Sequence, residues 1–366
     1  MPITRSSRQN ETAQTWSRRR LLKSAGVTGA AVLGGGLLSA CSDAGSSQAS
    51  PSKDKVRVSL GWLKDLEFAG FWNADAAGYY AEENLSVEFQ GGGPNTPDTT
   101  SLLANGQADI GVHANMQILL QAIARGNDFK MVGAALQTNP GGLLSLASDP
   151  VREPKDLAGA KVLGQAGAKP QLNAIFELAG LKRDYELVPV GSTVDPLLKK
   201  RGKVLTCYMT GQPVALELKH KMKPDKDFVA VTYEELGLPA YATIVYCKQG
   251  FLKERGDVME RFMRATIRGW QENLEDPEPA ARLVVDKYGA DLGLDLNEQI
   301  RGNEIQNTFM ENELTRQKGL FRMDVERLSG PMYAGLRAAG IKDLPDPDKV
   351  VDAGVLDAVY RGRTRL

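Results

Sequence analysis

The 366-residue sequence holds only two histidines, His113 and His220, and three cysteines. Metal coordination and imidazole catalysis both need such side chains in sets, so neither has much to work with here. The two histidines share no ligand spacing: His113 stands at a strand–loop junction and His220 lies in the basic turn Lys219-His220-Lys221. Net charge is lacking too. With 45 basic and 45 acidic side chains the formal charge is zero, which argues against a nucleic-acid binder. Apolar residues make up 42% and charged residues 25%, with 38 Gly and 18 Pro. Such values exclude disorder, collagen-like repeats and a coiled coil. Neither a Ser–His–Asp set nor a paired-carboxylate arrangement can be defended. No catalytic residue, metal or cofactor is therefore expected, and the length suggests two domains.

The sequence is rich at its start in targeting signals. Ser17-Arg18-Arg19-Arg20-Leu21-Leu22-Lys23 is a twin-arginine-type opening, followed by an uncharged stretch from Ser24 to Ala40 of Gly, Ala, Leu and Val. That stretch is slightly short for a membrane span of ~20 residues and too rich in glycine to be a good one. It ends in Leu38-Ser39-Ala40-Cys41, which matches a bacterial lipobox. Residues 1–41 read as a lipoprotein signal peptide with Cys41 as the lipidated residue; a signal anchor with an incidental cysteine is the alternative. Residues 42–55, rich in Ser, Ala and Asp, suit a flexible tether. The expectation is an exported protein, lipid-anchored to the outer face of the cell membrane. Cleavage before Cys41 removes six basic side chains and one acidic one, leaving 39 against 44 and a net charge of −5. The mature chain has no polybasic patch for anionic lipid, so its membrane link is the lipid itself.

From Val56 the pattern alternates strand and helix. Strands are expected at 56–60, 85–89, 109–112 and 130–136, with helices at 67–84, 99–104 and 116–124 between them. This rhythm implies a largely parallel sheet covered on both faces. A second unit follows Asp149-Pro150, with strands at 161–164, 186–190, 204–208 and 228–231 and helices at 170–179 and 213–220. Strand 242–247 leads into a helical C-terminal third, where Val258, Phe262, Thr266, Ile267, Trp270 and Leu274 recur at helical spacing. The expected division is a first lobe over 56–145, a second lobe over 146–241, and a return to the first lobe over 242–366. Lobes of this kind face each other across a cleft at the carboxyl ends of their strands.

Several segments resemble one group of ABC-importer solute-binding proteins, those for thiamine pyrimidines, riboflavin, nitrate and alkanesulfonates. They are Trp62-Leu63-Lys64-Asp65-Leu66-Glu67-Phe68-Ala69-Gly70-Phe71, Ala76-Ala77-Gly78-Tyr79-Tyr80, and Leu103-Ala104-Asn105-Gly106-Gln107-Ala108-Asp109. Asp156-Leu157-Ala158-Gly159, Arg268-Gly269-Trp270 and Asp276-Pro277-Glu278-Pro279-Ala280 follow in the same order. The resemblance spans roughly Val56 to Ala339. It implies an α/β, two-lobed, type II periplasmic-binding-protein fold with a ligand cleft between the lobes. It further implies a non-enzymatic, monomeric protein whose partners are a small-molecule solute and a membrane permease.

By position, the resemblance places Trp62 as a ligand-stacking aromatic at the end of the first strand. Glu67 departs from a histidine common in the pyrimidine-binding members; it either accepts hydrogen bonds from a ligand or faces solvent. Asn115 matches a cleft position, and a helix N-cap would need the same residue type. Gln137 falls where the chain crosses between lobes, Tyr208 and Gln212 stand where relatives place an aromatic and an acid or amide, and Tyr241 is expected to close the cleft. This set of aromatics, amides and one carboxylate suits a neutral or weakly basic heteroaromatic ring, a thiamine-pyrimidine precursor or a flavin-like molecule. Alkanesulfonate, taurine or nitrate is the alternative, though such anions would want basic or N–H donors. The rival of another class is a thiamine-pyrimidine synthase-like enzyme, for which the resemblance implies a histidine, an iron and a cysteine-rich stretch; Glu67 stands in that histidine's place and no cysteine cluster exists. An extracytoplasmic sensor or adhesion lipoprotein is a third reading. Cys207 and Cys247 fall on expected strands, two buried thiols being the expectation and a bridge the alternative.

Overall fold

The computed structural model describes residues 52–366; the expected signal peptide, the lipobox and Cys41 lie outside the described residues. The first strand, β1 (Asp54–Leu60), already includes the last residues of the expected tether. Its Val56, Val58 and Leu60 are buried while Lys55 is exposed, so strand alternation turns one face into the core.

Two five-stranded sheets follow. The first joins β1 to β2 (Leu85–Gln90), β3 (Ile110–His113), β4 (Phe129–Leu136) and, from much later in the chain, β10 (Ala242–Lys248), in the order β2-β1-β3-β10-β4. The second holds β5 (Gly141–Leu146), β6 (Ala160–Gly164), β7 (Tyr185–Pro189), β8 (Val204–Tyr208) and β9 (Phe228–Thr232), in the order β7-β6-β8-β5-β9. Each sheet has a parallel half, β2-β1-β3 and β7-β6-β8. One inserted strand in each runs against its neighbours: β10 is antiparallel to β3 and β4, and β5 to β8 and β9. The expected largely parallel sheet is thus corrected to two mixed sheets. β5 lies inside the second sheet, so the chain leaves the first sheet before Gly141 rather than after residue 145.

Helices cover the sheets. In the first half these are α1 (Ala69–Ala76), α2 (Thr99–Ala104) and α3 (Met116–Ala124); α4 (Lys169–Leu178) and α5 (Gln212–Leu218) serve the second sheet. The C-terminal third supplies α6 (Gln249–Glu275), α7 (Leu296–Asn307), α8 (Tyr333–Ala338) and α9 (Gly354–Tyr360). Helix α6 and α9 pack with the first lobe, but α7 also lies on α5 and α8 on α4. The C-terminal helices therefore straddle both lobes, because their apolar residues divide between two cores: Phe309 packs against both.

The first core is aromatic. Phe68, Phe71, Trp72, Phe262 and Trp270 are fully buried, with edge-to-face contacts such as Phe71–Trp270 at 6.2 Å. Gly70 of α1 and Gly269 of α6 let these helices meet backbone to backbone. A Cβ on Gly269 would fall 2.1 Å from the Gly70 carbonyl oxygen, and one on Gly70 would fall 2.2 Å from the Trp270 ring. Cys207 and Cys247 stand in different sheets as free, buried thiols, both pushed up in pKa by burial.

The two crossings between sheets run side by side. The Asn139 amide donates to the Ala240 carbonyl at 2.8 Å, and the Asn139 side chain donates to the Ala114 carbonyl and accepts from the Gly141 amide. Arg327 binds both crossings at once, donating to the Gln137 carbonyl at 2.7 Å and to Glu234 at 2.6 Å. Gly269→Ala should cost about 1–3 kcal/mol of stability in chemical denaturation, by overpacking the α1–α6 contact. Gly250→Ala, whose added methyl meets nothing, should stay within about 0.5 kcal/mol of the parent.

Candidate functional site

The turn after β1 and the turn after β8 both come up to Gly302 of α7, near enough for Asp65 and Glu67 to act on Tyr208. Asp65 caps the short 3₁₀ turn Leu66–Phe68, its Oδ1 accepting from the Glu67 amide at 2.9 Å. Trp72 Nε1 donates to the Asp65 carbonyl at 2.8 Å, and Gln306 Nε2 donates to the Leu66 carbonyl at 2.8 Å. The acidic turn is therefore held from two sides by buried residues. Glu67 is itself buried, and its Oε1 has no hydrogen-bond partner.

Burial dominates the electrostatics. It pushes the Glu67 carboxyl up to about 8, with the Asp65 carboxylate adding to the shift and the Thr243 hydroxyl opposing it. Asp65 rises to about 6, again by burial, against the backbone amides that favour its charged form. Across the cleft the Tyr208 hydroxyl is buried and unpartnered, and its pKa is raised by burial and by Glu67 and Asp65. The Thr243 hydroxyl is buried against the Glu67 carboxyl, on a residue held at φ +49°, a backbone region that β-branched residues rarely occupy. Two unpartnered oxygens, Glu67 Oε1 from the first strand's turn and the Tyr208 hydroxyl from the second lobe, thus lie in one buried neighbourhood, with the Thr243 hydroxyl of the return strand beside Glu67. Such groups are costly unless something completes them.

The predicted site residues divide. Trp62 is 40% exposed, three residues before the acidic turn, and Glu67 and Tyr208 face each other electrostatically. Gln212 stands behind Tyr208: its Oε1 accepts from the Tyr208 amide at 2.8 Å and its Nε2 donates to the Ser192 carbonyl at 2.9 Å. It positions the tyrosine, and both ends of its amide are used. Three others serve the scaffold. Asn115 caps α3, accepting from the Ile118 amide at 3.3 Å. Gln137 is buried at the crossing, donating to the Ala134 and Arg322 carbonyls and accepting from Asn312. Tyr241 does not close the cleft: it is fully buried, its hydroxyl accepts from the Asp324 amide at 2.8 Å, and the Arg327 guanidinium lies 5.4 Å from its ring centre.

Asp65, Thr243 and Gln306 belong to this neighbourhood and stand outside the set of predicted site residues. The Asp65-Leu66-Glu67 capping pattern carried a signal; Thr243 and Gln306 come from distant strands and helices with none. The other acidic group at the strand ends is already used. His113 Nδ1 accepts from the Asn115 amide at 2.9 Å, which leaves the proton on Nε2 facing Asp98 Oδ2, also at 2.9 Å. Burial opposes ionisation of Asp98, but hydrogen bonds from His113 and Thr100 outweigh it and hold the carboxyl well below the usual range.

A family model described as NMT1/THI5 like matches residues 65–280, from the acidic turn to the helix after α6. The chain belongs to the NMT1/THI5-like family. Among relatives of this NMT1/THI5-like chain, a formylaminopyrimidine-binding protein of Halalkalibacterium halodurans is 28% identical over 245 residues, 63% of this chain and 70% of the relative. A 4-amino-5-hydroxymethyl-2-methylpyrimidine phosphate synthase of Saccharomyces cerevisiae is 27% identical over 250 residues, 64% and 72% of the two chains. The periplasmic aliphatic sulphonate binding protein SsuA of Escherichia coli superposes with a TM-score of 0.63 at 14% identity, covering 83% of this chain and 92% of that one. A ligand-binding component of an ABC-type import system from Staphylococcus aureus gives 0.60 at 10%, covering 84% and 100%. These similarities show the fold of the NMT1/THI5-like chain to be two-lobed and of the type II periplasmic-binding class.

A carboxyl raised in the folded state keeps a proton that the unfolded chain releases. Stability from that proton is full below the ordinary Glu value of 4.5 and is lost as pH rises toward about 8. Folding stability of the parent should fall across this window, by at most about 1.4 kcal/mol per pH unit for one proton. In Glu67→Gln the slope measured by denaturant titration at several pH values should flatten; an unchanged slope would place the titrating group elsewhere.

Proposed function

We propose that this chain is the substrate-binding lipoprotein of an ABC importer, which captures a small heteroaromatic solute by hinge closure and presents it to a membrane permease. The observation that carries the reading is the buried pair of Glu67 and Tyr208, whose Oε1 and hydroxyl come from different lobes and lack partners, with the Thr243 hydroxyl beside Glu67. A ring amine would donate to Glu67, and the proton that Glu67 retains would answer a ring nitrogen. Trp62 is exposed beside this turn and suited to stack on the ring. Ligand contacts on both walls would favour the closed state by population shift. The similarity to a formylaminopyrimidine-binding protein supports a thiamine-pyrimidine precursor, and a flavin-like molecule has the same flat, polar-edged chemistry.

A neutral carboxyl beside a carboxylate would not attract an anion, which disfavours alkanesulfonate, taurine or nitrate. The similarity to pyrimidine phosphate synthases keeps an enzymatic reading in view. Glu67 in place of the histidine implied by that resemblance favours capture over synthesis. Export and anchoring through Cys41 complete the proposal: tethering raises the local concentration of the binding protein at its permease.

A thermal-shift screen of the chain against pyrimidines, riboflavin, taurine, alkanesulfonates and nitrate tests the ligand class. At a hundredfold excess over Kd the true ligand should add about 2.7 kcal/mol to the folded state. Heterocycles should give that shift, and Glu67→Gln and Trp62→Ala should each weaken binding by about tenfold, the equivalent of 1.4 kcal/mol. A shift with sulfonate or nitrate alone would overturn the ligand assignment while keeping the importer. Membrane attachment is read separately: Cys41→Ser should move the protein from the membrane fraction to the soluble fraction of the exported pool.

A further inference from the structure

Helix α7 touches both walls of the cleft and the crossing between them. On the first lobe, Gln306 Nε2 holds the Leu66 carbonyl inside the acidic turn. Behind it runs a buried amide network: Asn273 Nδ2 donates to Asn303 Oδ1 at 3.0 Å and to Asn307 Oδ1 at 2.7 Å, and Asn303 Nδ2 returns a bond to Asn273 Oδ1 at 2.7 Å. Toward the second lobe, Arg301 Nε meets Glu217 of α5 at 3.1 Å and Glu298 meets Lys219 at 2.8 Å. At the crossing, the Phe309 carbonyl just beyond α7 accepts from the amides of Gln137 at 2.7 Å and Thr138 at 3.3 Å.

Between these attachments sits Gly302, fully enclosed. A Cβ there would lie 2.7 Å from the Leu66 side chain of the first lobe and 2.7 Å from the Thr210 carbonyl oxygen of the second. No side chain fits while the lobes stay at this separation. The two sides of the helix differ in kind. The asparagine network toward α6 is buried, with Asn273 and Asn303 fully enclosed, whereas Arg301 and Lys219 are 39% and 61% exposed in their ion pairs. Ion pairs open to solvent at their basic ends, with Glu217 and Glu298 only 18% and 20% exposed, are still the weaker joint and the one that salt screens.

We propose that α7 is the tie that sets how far the lobes part, anchored to the first lobe by its amide network and gripping the second through the Arg301–Glu217 and Glu298–Lys219 pairs, with Gly302 at the contact point. Opening then breaks the two ion pairs and separates Thr210 from Gly302, while Gln306 keeps the acidic turn in place. Glu298, Arg301 and Gly302 are positioning residues that tune closure from outside the proposed ligand contacts. The consequence for affinity rests on the cleft being the ligand site; the geometry of the tie does not.

Hydrogen exchange of the full chain without ligand tests it. In Arg301→Gln combined with Glu298→Gln, amides of the two walls (residues 61–68 and 206–212) and of the crossing (137–141) should exchange about threefold to tenfold faster, while α1 stays at parent rates. High salt should speed the same segments in the parent and have a smaller effect on the two walls in the double variant. Gly302→Ala should speed them as well, by wedging the lobes apart. Unchanged wall exchange in the charge variant, or an equal rise in every segment, would overturn the tie. A failed ligand screen would leave this result standing, so the two readings fail separately.

Discussion

The strand exchange between the two sheets is the constraint from which the rest of the molecule follows. Each sheet holds, next to one edge strand, a strand running against its neighbours, β5 in the second and β10 in the first. Because β10 sits between β3 and β4, the first lobe cannot be assembled from one continuous stretch of chain. The backbone must cross twice, and the crossings are pinned side by side by the Asn139–Ala240 hydrogen bond and by Arg327. Two adjacent connections join the sheets along a common line, the kind of joint about which two lobes can rotate. The same exchange brings Thr243, at the start of β10, up against the acidic turn after β1.

What gathers at that junction is polar and dry. Burial near another carboxyl favours the protonated form of Glu67, burial of the Tyr208 hydroxyl favours its neutral form, and a strained threonine turns its hydroxyl to the same place. By contrast, Asp98 and His113 satisfy each other and leave nothing free. The distinction separates the two acidic groups at the strand ends: Asp98 is complete in itself, whereas Glu67 keeps a buried oxygen without a partner.

Much of this was legible from the sequence. Helices 99–104 and 116–124 fall where their apolar spacing and their Asp98 and Asn115 caps place them. Strand 204–208 likewise matches its pattern. β5 was missed because Gly141-Gly142-Leu143-Leu144-Ser145 is buried on both faces and opens with two glycines, so it lacks the alternation that marks a strand. At Gly142 the glycine has a packing reason, since a Cβ would fall 2.2 Å from the Val231 carbonyl oxygen. Polar and aromatic residues at strand ends were harder to sort. Asn115, Gln137 and Tyr241 carry the side chains a cleft would use, and a cap, a crossing and a core use the same ones. Glu67 and Tyr208 were placed by resemblance, whereas Gln306 and Thr243 come from parts of the chain that share no local pattern with the turn they support.

The late arrival of β10 also orders events in time. Residues 141–232 supply every strand of the second sheet, so that lobe can pair its strands as soon as they leave the ribosome. The first sheet must wait more than a hundred residues for the strand that joins β3 to β4, with both edges open until it comes. Contacts of such long sequence separation are slow to form and leave unpaired strand edges exposed. The N-terminal half is thus the part of this chain made first and finished last.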